Sequence, residues 1–254
     1  MSQHTETTEP TEPTAEQAVQ AEQAVQAEQA EQAEQVRVEQ ENSEQKLVRL
    51  AKRDRLIQAA TTPGGGAYPV GVPVTDTIPA IRARFGDLEA DAVTGVTVGL
   101  AGRVVFLRNT GKLCFASLQA GDGSRIQAMV SLAAVGVDSL AAWKDLVDLG
   151  DHLFVAGEVI SSRRGELSIM VTEWQVAAKA LLPLPNLHSE LSEETRVRSR
   201  YLDLISREQA RRSVIQRSQT VASLRKTFTD RNFLEIETPM LQVMHGGASA
   251  RPFA

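Results

Sequence analysis

Residues 102–130, GRVVFLRNTGKLCFASLQAGDGSRIQAMV, indicate the fold class of the chain. This stretch contains β-branched and apolar-rich segments separated by turns at 109–112 and 120–124, where Gly, Asn and Asp suit tight hairpins. Two further segments of the same kind follow, and RRGE at 163–166 can close the hairpin between them. The predicted strands are residues 96–108, 113–120, 125–131, 152–162 and 167–179.

A helical segment, 139–147, lies between the third and fourth predicted strands. Five strands with a helix in this position are the order of the OB-fold, a small β-barrel whose sheet face binds oligonucleotides. We therefore expect an OB-fold barrel over residues 91–182. The fold alone does not specify a ligand, so function must come from particular side chains.

The first 45 residues differ in composition from the rest of the chain. AEQ-type units repeat there, glutamates are frequent and basic residues are few, although the net charge of the whole chain is only -5. A three-residue alanine period drifts around a helix and gives no continuous apolar face. We expect a solvated, disordered tail over residues 1–45, whose simplest role is to aid solubility.

KLVRLAKRDRLIQA, residues 46–59, carries five basic residues and one acidic residue, with Leu47, Leu50, Ala51 and Ile57 at near-helical spacing. This pattern predicts a short basic amphipathic helix. Its charges could form a solvated face or contact a phosphate backbone, and the sequence does not decide between these. The glycines and prolines after it predict a linker, so residues 46–90 are assigned to helix and linker.

A long helix is predicted from about Arg207 to Asp230. Val214, Val221, Leu224 and Phe228 form one apolar stripe along it, and Arg211, Arg212, Arg217 and Arg225 lie off that stripe. The segment FLEIE, 233–237, predicts a strand that Pro239 ends, because proline cannot donate a hydrogen bond to a strand ladder.

Composition excludes several classes of protein. No apolar run approaches the roughly 18 to 20 residues of a membrane span, and the chain does not start like an export signal, which favours the cytoplasm. The single cysteine, Cys114, cannot form an internal disulfide and is expected to be a buried small hydrophobe. No metal ligand set is predicted.

The predicted strands carry the residue types of a single-stranded nucleic-acid site. Such a site needs an aromatic stacking surface, cations along the backbone path and polar groups that read base edges. Phe115 could supply the first, Arg103 and Arg108 the second, and Gln127 and Glu166 the third. Phe115 could equally be core, and Arg103 and Glu166 could be ordinary solvated residues.

Residues 102–130, together with LGDHLFVAGEVISSRRGELSI at 149–169, resemble the anticodon-binding OB domain of the lysyl-, aspartyl- and asparaginyl-tRNA synthetases. The resemblance implies that Phe115 stacks on an anticodon base and Gln127 reads a base edge. It also implies that Arg103 lies near the anticodon backbone and that Glu166 is a lysyl-type glutamate at the anticodon.

The C-terminal residues narrow the resemblance to the class II lysyl-tRNA synthetases. RVRSRYLDLI, 196–205, is similar to the start of their catalytic domain, and RNFLEIETPML, 231–241, to class II motif 1, which forms the homodimer interface and includes Phe233 and Pro239. HGGASARPF, 245–253, resembles the segment that borders the lysine and adenylate pocket. By that resemblance Gly246, Gly247 and Ala248 are adjacent to substrate, although paired glycines also suit an ordinary turn.

Residues 183–254 are accordingly expected to be the truncated start of an α+β class II catalytic domain. The resemblance implies an enzyme that uses ATP and Mg²⁺ to attach lysine to its tRNA. No sequence follows Ala254 to hold motifs 2 and 3, so we expect these residues to bind the anticodon of tRNA(Lys) and to contain no catalytic residue. Two alternatives are a stand-alone nucleic-acid-binding OB module and the synthetase part of a lysyl-phosphatidylglycerol synthase fusion.

Overall fold

A computed structural model describes residues 44–60, 66–187 and 189–239. The chain divides into two compact units, residues 1–190 and residues 191–254. Gly246, Gly247 and Ala248 and residues 1–43 of the predicted tail lie outside the described residues.

The first unit is built on a closed five-stranded barrel, as the sequence predicts. Its strands are β1 (Val93–Asn109), β2 (Leu113–Gln119), β3 (Arg125–Ser131), β4 (His152–Ser161) and β5 (Leu167–Ala178). Their order around the barrel is β1-β2-β3-β5-β4, with β3 and β5 parallel and the remaining neighbours antiparallel. This is the OB-fold arrangement, and it is confirmed.

The predicted hairpin turns form where glycine permits them. In the β2–β3 turn the amide of Ala120 donates to the carbonyl of Ser124 at 2.9 Å, and Gly123 adopts a φ of 92°. In the β4–β5 turn the amide of Ser162 donates to the carbonyl of Glu166 at 2.9 Å, and Gly165 has a φ of 79°. Positive φ is readily accessible to glycine, so both turns follow from their sequence.

Alternation along the strands directs one set of side chains into the barrel. The interior is apolar and fully buried, and Cys114 is part of it, as predicted. Burial raises the pKa of the Cys114 thiol. Inward residues from all five strands contribute to this core: Leu100, Val104, Cys114, Ala116, Leu118, Ile126, Ala128, Val130, Leu153, Val155, Ile169 and Val171.

Helices complete the barrel core. The helix predicted between β3 and β4 is present as α4 (Val137–Leu146), which follows a short helix α3 (Leu132–Val135), and it buries Leu140 and Trp143. A further helix, α2 (Ile78–Phe85), lies inside the segment predicted to be linker and buries Ile78 and Ile81. The linker prediction missed α2 because the helix is short and prolines and glycines lie in and around it.

The basic N-terminal segment is helical over residues 44–59, here α1, as predicted. The prediction that Leu47 and Ile57 form a buried apolar face is wrong, because these side chains are 64% and 49% exposed. The helix instead contacts the barrel through Leu56 and through basic side chains. Arg49 Nη1 donates to the carbonyl oxygens of Leu149 and Ala180 at 2.9 and 3.2 Å.

A buried ionic cluster joins α1 to the end of the barrel. Lys179 is fully buried, and its Nζ lies 2.6 Å from Asp148 Oδ2 and 2.7 Å from Asp151 Oδ2. Lys52 Nζ reaches the other carboxylate oxygen of Asp148 at 2.6 Å. Each buried charge therefore has an opposite charge beside it, as buried ions require.

The second unit is helical in its described part, with α5 (Glu193–Arg198), α6 (Arg200–Ser206) and α7 (Glu208–Asp230). The long predicted helix is thereby confirmed. In α6 the fully buried Asp203 accepts hydrogen bonds from Arg200 Nη1 and Arg207 Nε, both at 2.5 Å. These contacts fix the turn between α6 and α7.

The predicted strand at 233–237 is not formed. Residues 233–239 have no regular structure, and Phe233, Leu234 and Ile236 are 63%, 85% and 71% exposed. A strand needs a partner for its backbone hydrogen bonds, and no segment described in residues 44–60, 66–187 or 189–239 pairs with this one.

Candidate nucleic-acid interface

Strand register brings predicted site residues into one row on the outer surface of the barrel. Arg108 of β1 is opposite Phe115 of β2, Phe115 is opposite Met129 of β3, and Met129 is opposite Met170 of β5. The neighbours of Phe115 along its strand, Cys114 and Ala116, are buried inward, so its ring points outward and is half-buried. Phe115 is therefore outside the barrel core and accessible at its surface.

A second row lies beside the first. Phe106 of β1 is opposite Ser117, Ser117 is opposite Gln127, and Gln127 is opposite Ser168. Gln127 Nε2 donates to Ser168 Oγ at 3.0 Å. This contact holds the amide in one orientation and leaves its oxygen and second N–H able to pair with a ligand.

A β-bulge in β1 decides which side chains reach this surface. Val104 pairs with Leu118 and Phe106 with Ser117, so Val105 is an extra residue in β1. Both Val104 and Val105 are buried, and the alternation then restarts one residue out of phase. Arg103 and Arg108 are an odd number of residues apart, yet the bulge places both on the outer surface.

Glu166 lies at the edge of the same surface, in the β4–β5 turn. Its backbone is fixed because its amide donates to Ser162 Oγ at 3.0 Å and its carbonyl accepts from Ser168 Oγ at 2.8 Å. Its side chain is exposed, and it follows two exposed arginines, Arg163 and Arg164. In OB-folds the β1–β2 and β4–β5 loops frame the oligonucleotide site, and Glu166 is in the second of these.

Arg103 is separate from the other predicted residues. Arg103 is opposite Gln119 on β2. Gln119 is four residues from Phe115 on the same strand, a separation of roughly 13 Å at about 3.3 Å per residue. Arg103 is half-buried, and its Nη1 donates to the carbonyl of Gly150 at 3.1 Å. Burial lowers the pKa of its guanidinium, which remains charged because an arginine titrates far above neutrality.

His152 is the cross-strand partner of Arg103 on β4. Burial, and then the positive charge of Arg103, lower the pKa of this imidazole below its ordinary value. His152 is therefore expected to be neutral at physiological pH, and the cation at this end of the surface is Arg103.

The sequence left open whether the basic residues of α1 form a solvated face or contact a phosphate backbone, and their contacts in the structure bear on this question. Arg49 and Lys52 bind the barrel, as described above, and Arg55 Nη1 lies 2.7 Å from Asp145 Oδ2. These three cations are used within the chain, so most of the positive charge of α1 docks the helix and is not free for a phosphate backbone.

The residues predicted to form a dimer interface are exposed. Phe233 is 63% exposed and Pro239 is exposed as well. The apolar stripe of α7 also faces solvent, with Val214, Val221, Leu224 and Phe228 between 39% and 55% exposed. An apolar stripe of this kind is usually covered by a partner surface.

Four residues at this surface were not predicted from the sequence: Phe106, Met129, Arg163 and Arg164. Phe106 was missed because strict alternation from the buried Val104 directs it inward, and the bulge that reverses it has no clear sequence signal. The two arginines were interpreted only as part of a turn. Their position next to Glu166 in a loop that frames OB-fold ligand sites was the available signal.

We also searched the described residues for a metal site and for a membrane-spanning helix. Among residues 44–60, 66–187 and 189–239, no group of three or more His, Cys, Asp or Glu side chains could hold a metal ion. Over the same residues, none of the helices combines the length and apolar character needed to cross a membrane.

Comparison with known proteins agrees with this geometry. Residues 98–177 match the family of OB-fold nucleic acid binding domains, and residues 192–254 match the class II tRNA synthetases of the D, K and N group. The first match contains every outer-surface residue named above, and the second contains α6, α7 and Phe233.

Individual relatives match most of this chain. Over 210 residues, 83% of this chain, it is 62% identical to a lysine–tRNA ligase of Kineococcus radiotolerans and 56% identical to one of Mycolicibacterium gilvum. It is 42% identical over 211 residues to the lysylphosphatidylglycerol biosynthesis bifunctional protein LysX of Rhodococcus opacus. The chain spans 41% of the length of the two ligases and 18% of the length of the bifunctional protein.

The barrel topology, the two matched domains in their order and the identity to these ligases agree on one assignment. The chain belongs to the class II lysyl-tRNA synthetase family, of which it carries the OB-fold nucleic acid binding domain and the start of the synthetase domain.

Proposed function

We propose that the outer surface of the barrel binds the anticodon loop of tRNA(Lys), as part of a protein that attaches lysine to that tRNA. The row containing Arg108 and Phe115 is the observation that carries this proposal, because it places an accessible ring beside an exposed cation. Unpaired bases stack on such rings while cations follow the phosphates. The names of the relatives support lysine as the amino acid.

In this proposal each predicted residue has a distinct role. Phe115 stacks on one base, and Gln127, held by Ser168, reads a base edge with its free amide groups. Glu166 accepts a hydrogen bond from a base at the β4–β5 turn, because an ionised carboxylate is an acceptor only. Arg108 binds the phosphate backbone beside Phe115, and Arg103 extends that path toward β4.

Lysine activation belongs to the complete protein in this proposal, and it requires ATP and Mg²⁺. Metal ions and cations stabilise the charge that develops on phosphates in such reactions. The described residues do not fit the metal, since they include no group of three or more His, Cys, Asp or Glu side chains that could hold it. Gly246, Gly247 and Ala248, proposed to lie next to substrate, are outside the described residues.

We further propose that α7 and residues 233–239 contribute to a homodimer interface in the cytoplasmic enzyme. The exposed stripe of α7 together with Phe233 and Pro239 supports this, because these apolar side chains lie uncovered within the described residues. The proposed boundaries of the functional parts are residues 91–182 for anticodon binding and 183–254 for the start of the synthetase domain, with residues 46–90 as the helical extension.

Binding of isolated anticodon stem-loops tests the proposed function. The 254-residue chain is titrated with the stem-loop of a lysine tRNA and with that of a tRNA for another amino acid whose anticodon differs at every position. We expect tighter binding of the lysine stem-loop, and equal binding of both would contradict anticodon recognition by this surface.

A second function is favoured by the similarity to the bifunctional protein of Rhodococcus opacus. In that case the same OB domain and synthetase start would serve a protein that makes lysyl-phosphatidylglycerol. The complete reading frame distinguishes the two functions: an additional membrane domain supports the second, and a synthetase domain without one supports lysine–tRNA ligase.

A further inference from the structure

Phe106 is an aromatic residue on the outer surface that the site described above does not use. Its side chain is 53% exposed, although it lies in the middle of β1 between the buried Val105 and the core-packed Leu107. Isolated exposed apolar residues are common and need no explanation. The position of Phe106 relative to the proposed anticodon site is what gives it meaning.

Register makes Phe106 and Phe115 diagonal neighbours. Arg108 is opposite Phe115 and Phe106 is opposite Ser117, so the two phenylalanines are on adjacent strands and in adjacent rows of one surface. Diagonal cross-strand residues are roughly 7 to 8 Å apart, within reach of aromatic side chains. This separation is about twice the 3.4 Å rise between stacked bases. Two bases on these rings would therefore be unstacked from each other, as in splayed RNA loops.

The bulge in β1 is an independent observation in favour of a role for Phe106. In a regular strand without the bulge, the alternation that buries Leu100 and Val104 would direct Phe106 into the barrel. A bulge disrupts the strand ladder locally and re-aims a side chain, and bulges are over-represented next to functional sites. Here its effect is to move a phenylalanine from the core direction to the proposed ligand surface.

The surroundings of Phe106 suit a base. Its row continues with Ser117 and Gln127, whose hydroxyl and amide groups can pair with base edges, and the buried Ser168 beyond them holds the Gln127 amide. The next cation in β1 is Arg108, two residues away on the same surface. An aromatic ring with polar neighbours in its row and a cation nearby matches the composition of single-stranded nucleic-acid sites.

We propose that Phe106 is a second stacking surface, which holds an unpaired base adjacent in the RNA to the base that stacks on Phe115. This inference rests on the proposed anticodon-binding function and adds a residue to it. It assigns the two rings to two successive nucleotides of the loop, so each ring has its own base.

Binding measurements that combine protein variants with modified RNA test this assignment. The 254-residue chain and its variants Phe106→Ala, Phe106→Leu, Phe106→Tyr and Phe115→Ala are titrated with the lysine anticodon stem-loop. The same titrations use stem-loops with an abasic nucleotide at each loop position in turn. Val137→Ala, which changes a side chain 70% exposed at the start of α4, is the control.

The proposal predicts a distinct pattern of coupling. Phe106→Ala and Phe106→Leu should each weaken binding about 5-fold or more, as expected for one lost base stack, while Phe106→Tyr and Val137→Ala bind normally. The effect of Phe106→Ala should vanish on the RNA that lacks one particular base. The effect of Phe115→Ala should vanish on the RNA that lacks the base next to it.

Different failures have different meanings. If the wild-type chain does not bind the stem-loop, the proposed function itself is wrong. If Phe115→Ala weakens binding and Phe106→Ala does not, the role of Phe106 is overturned while the proposed function stands. Base stacking at Phe106 would also be overturned if Phe106→Ala weakened binding equally on every abasic RNA. Unchanged binding by Phe106→Leu would overturn it as well.

Discussion

Arg108 on β1 and Phe115 on β2 are directly opposite each other in the antiparallel ladder, with both side chains on the outer surface of the barrel. The register places a cation beside an aromatic ring that the sequence separates by a turn. The bulge at Val105 is necessary for this arrangement, because it sets Arg108 and Phe106 on the outer surface.

Replacing Arg108 with glutamine should reduce the salt dependence of RNA binding. Each phosphate contact to a single strand contributes about 0.7 to the slope of log K against log salt, so the slope should fall in magnitude by roughly that amount. Titration of the anticodon stem-loop at several salt concentrations measures it. Arg55→Gln is the matched control, because Arg55 is paired with Asp145. An unchanged slope for Arg108→Gln would show that Arg108 does not contact a phosphate.

Arg103→Gln should also lower the slope, and it should raise the pKa of His152. The charge of Arg103 is the second cause, after burial, that lowers the pKa of this imidazole, so removal of the charge should move it toward its ordinary value. NMR titration of the imidazole resonances, assigned by comparison with His152→Gln, measures the change. An identical His152 pKa in both proteins would show that the two side chains do not interact.

The lowered pKa of His152 also has a consequence for stability. The unfolded chain binds a proton at His152 near its ordinary pKa of 6.5, whereas the folded chain binds it only at lower pH. Stability should therefore fall as pH decreases from about 6.5 through the folded pKa. Urea unfolding at several pH values should show this fall in the wild type and a smaller one in His152→Gln. The same pH dependence in both would contradict the burial of this group.

Lys179→Met should destabilise the barrel unit strongly. The substitution leaves Asp151, which is fully buried, without the ammonium 2.7 Å from its carboxylate. Loss of one partner of a buried ion pair typically costs about 3 to 5 kcal/mol. Chemical denaturation gives the value, and Lys46→Met, at an exposed position on α1, is the control. A loss no larger than that of the control would show that this cluster is not needed for stability.

Much of the fold follows from local sequence. The strands and their turns could be predicted because β-branched runs and glycine turns are local signals, and α7 could be predicted from its apolar spacing. The bulge at Val105 and the ionic docking of α1 could not, since both depend on contacts between residues distant in sequence. The segment 233–237 has strand propensity but lacks a described partner strand, so propensity alone gave the wrong result there.

In the candidate site too, some residues could be predicted from the sequence and others could not. Phe115, Gln127 and Glu166 could be proposed from residue type and resemblance, and register then placed Phe115 and Gln127 in adjacent rows, with Glu166 two residues before Ser168. Phe106 could not be proposed, because its direction is decided by one extra residue in β1. Arg103 was grouped with the other cations, and only the structure shows that it also binds the backbone of Gly150.

The affinity of Phe115→Ala for the anticodon stem-loop shows whether the accessible ring on β2 receives an unpaired anticodon base. We expect a loss of about 1 to 3 kcal/mol, the contribution of one base stack, with binding retained by Phe115→Tyr and by the surface control Val137→Ala. Equal affinity of the wild type and Phe115→Ala, with both proteins folded, would contradict base stacking at Phe115.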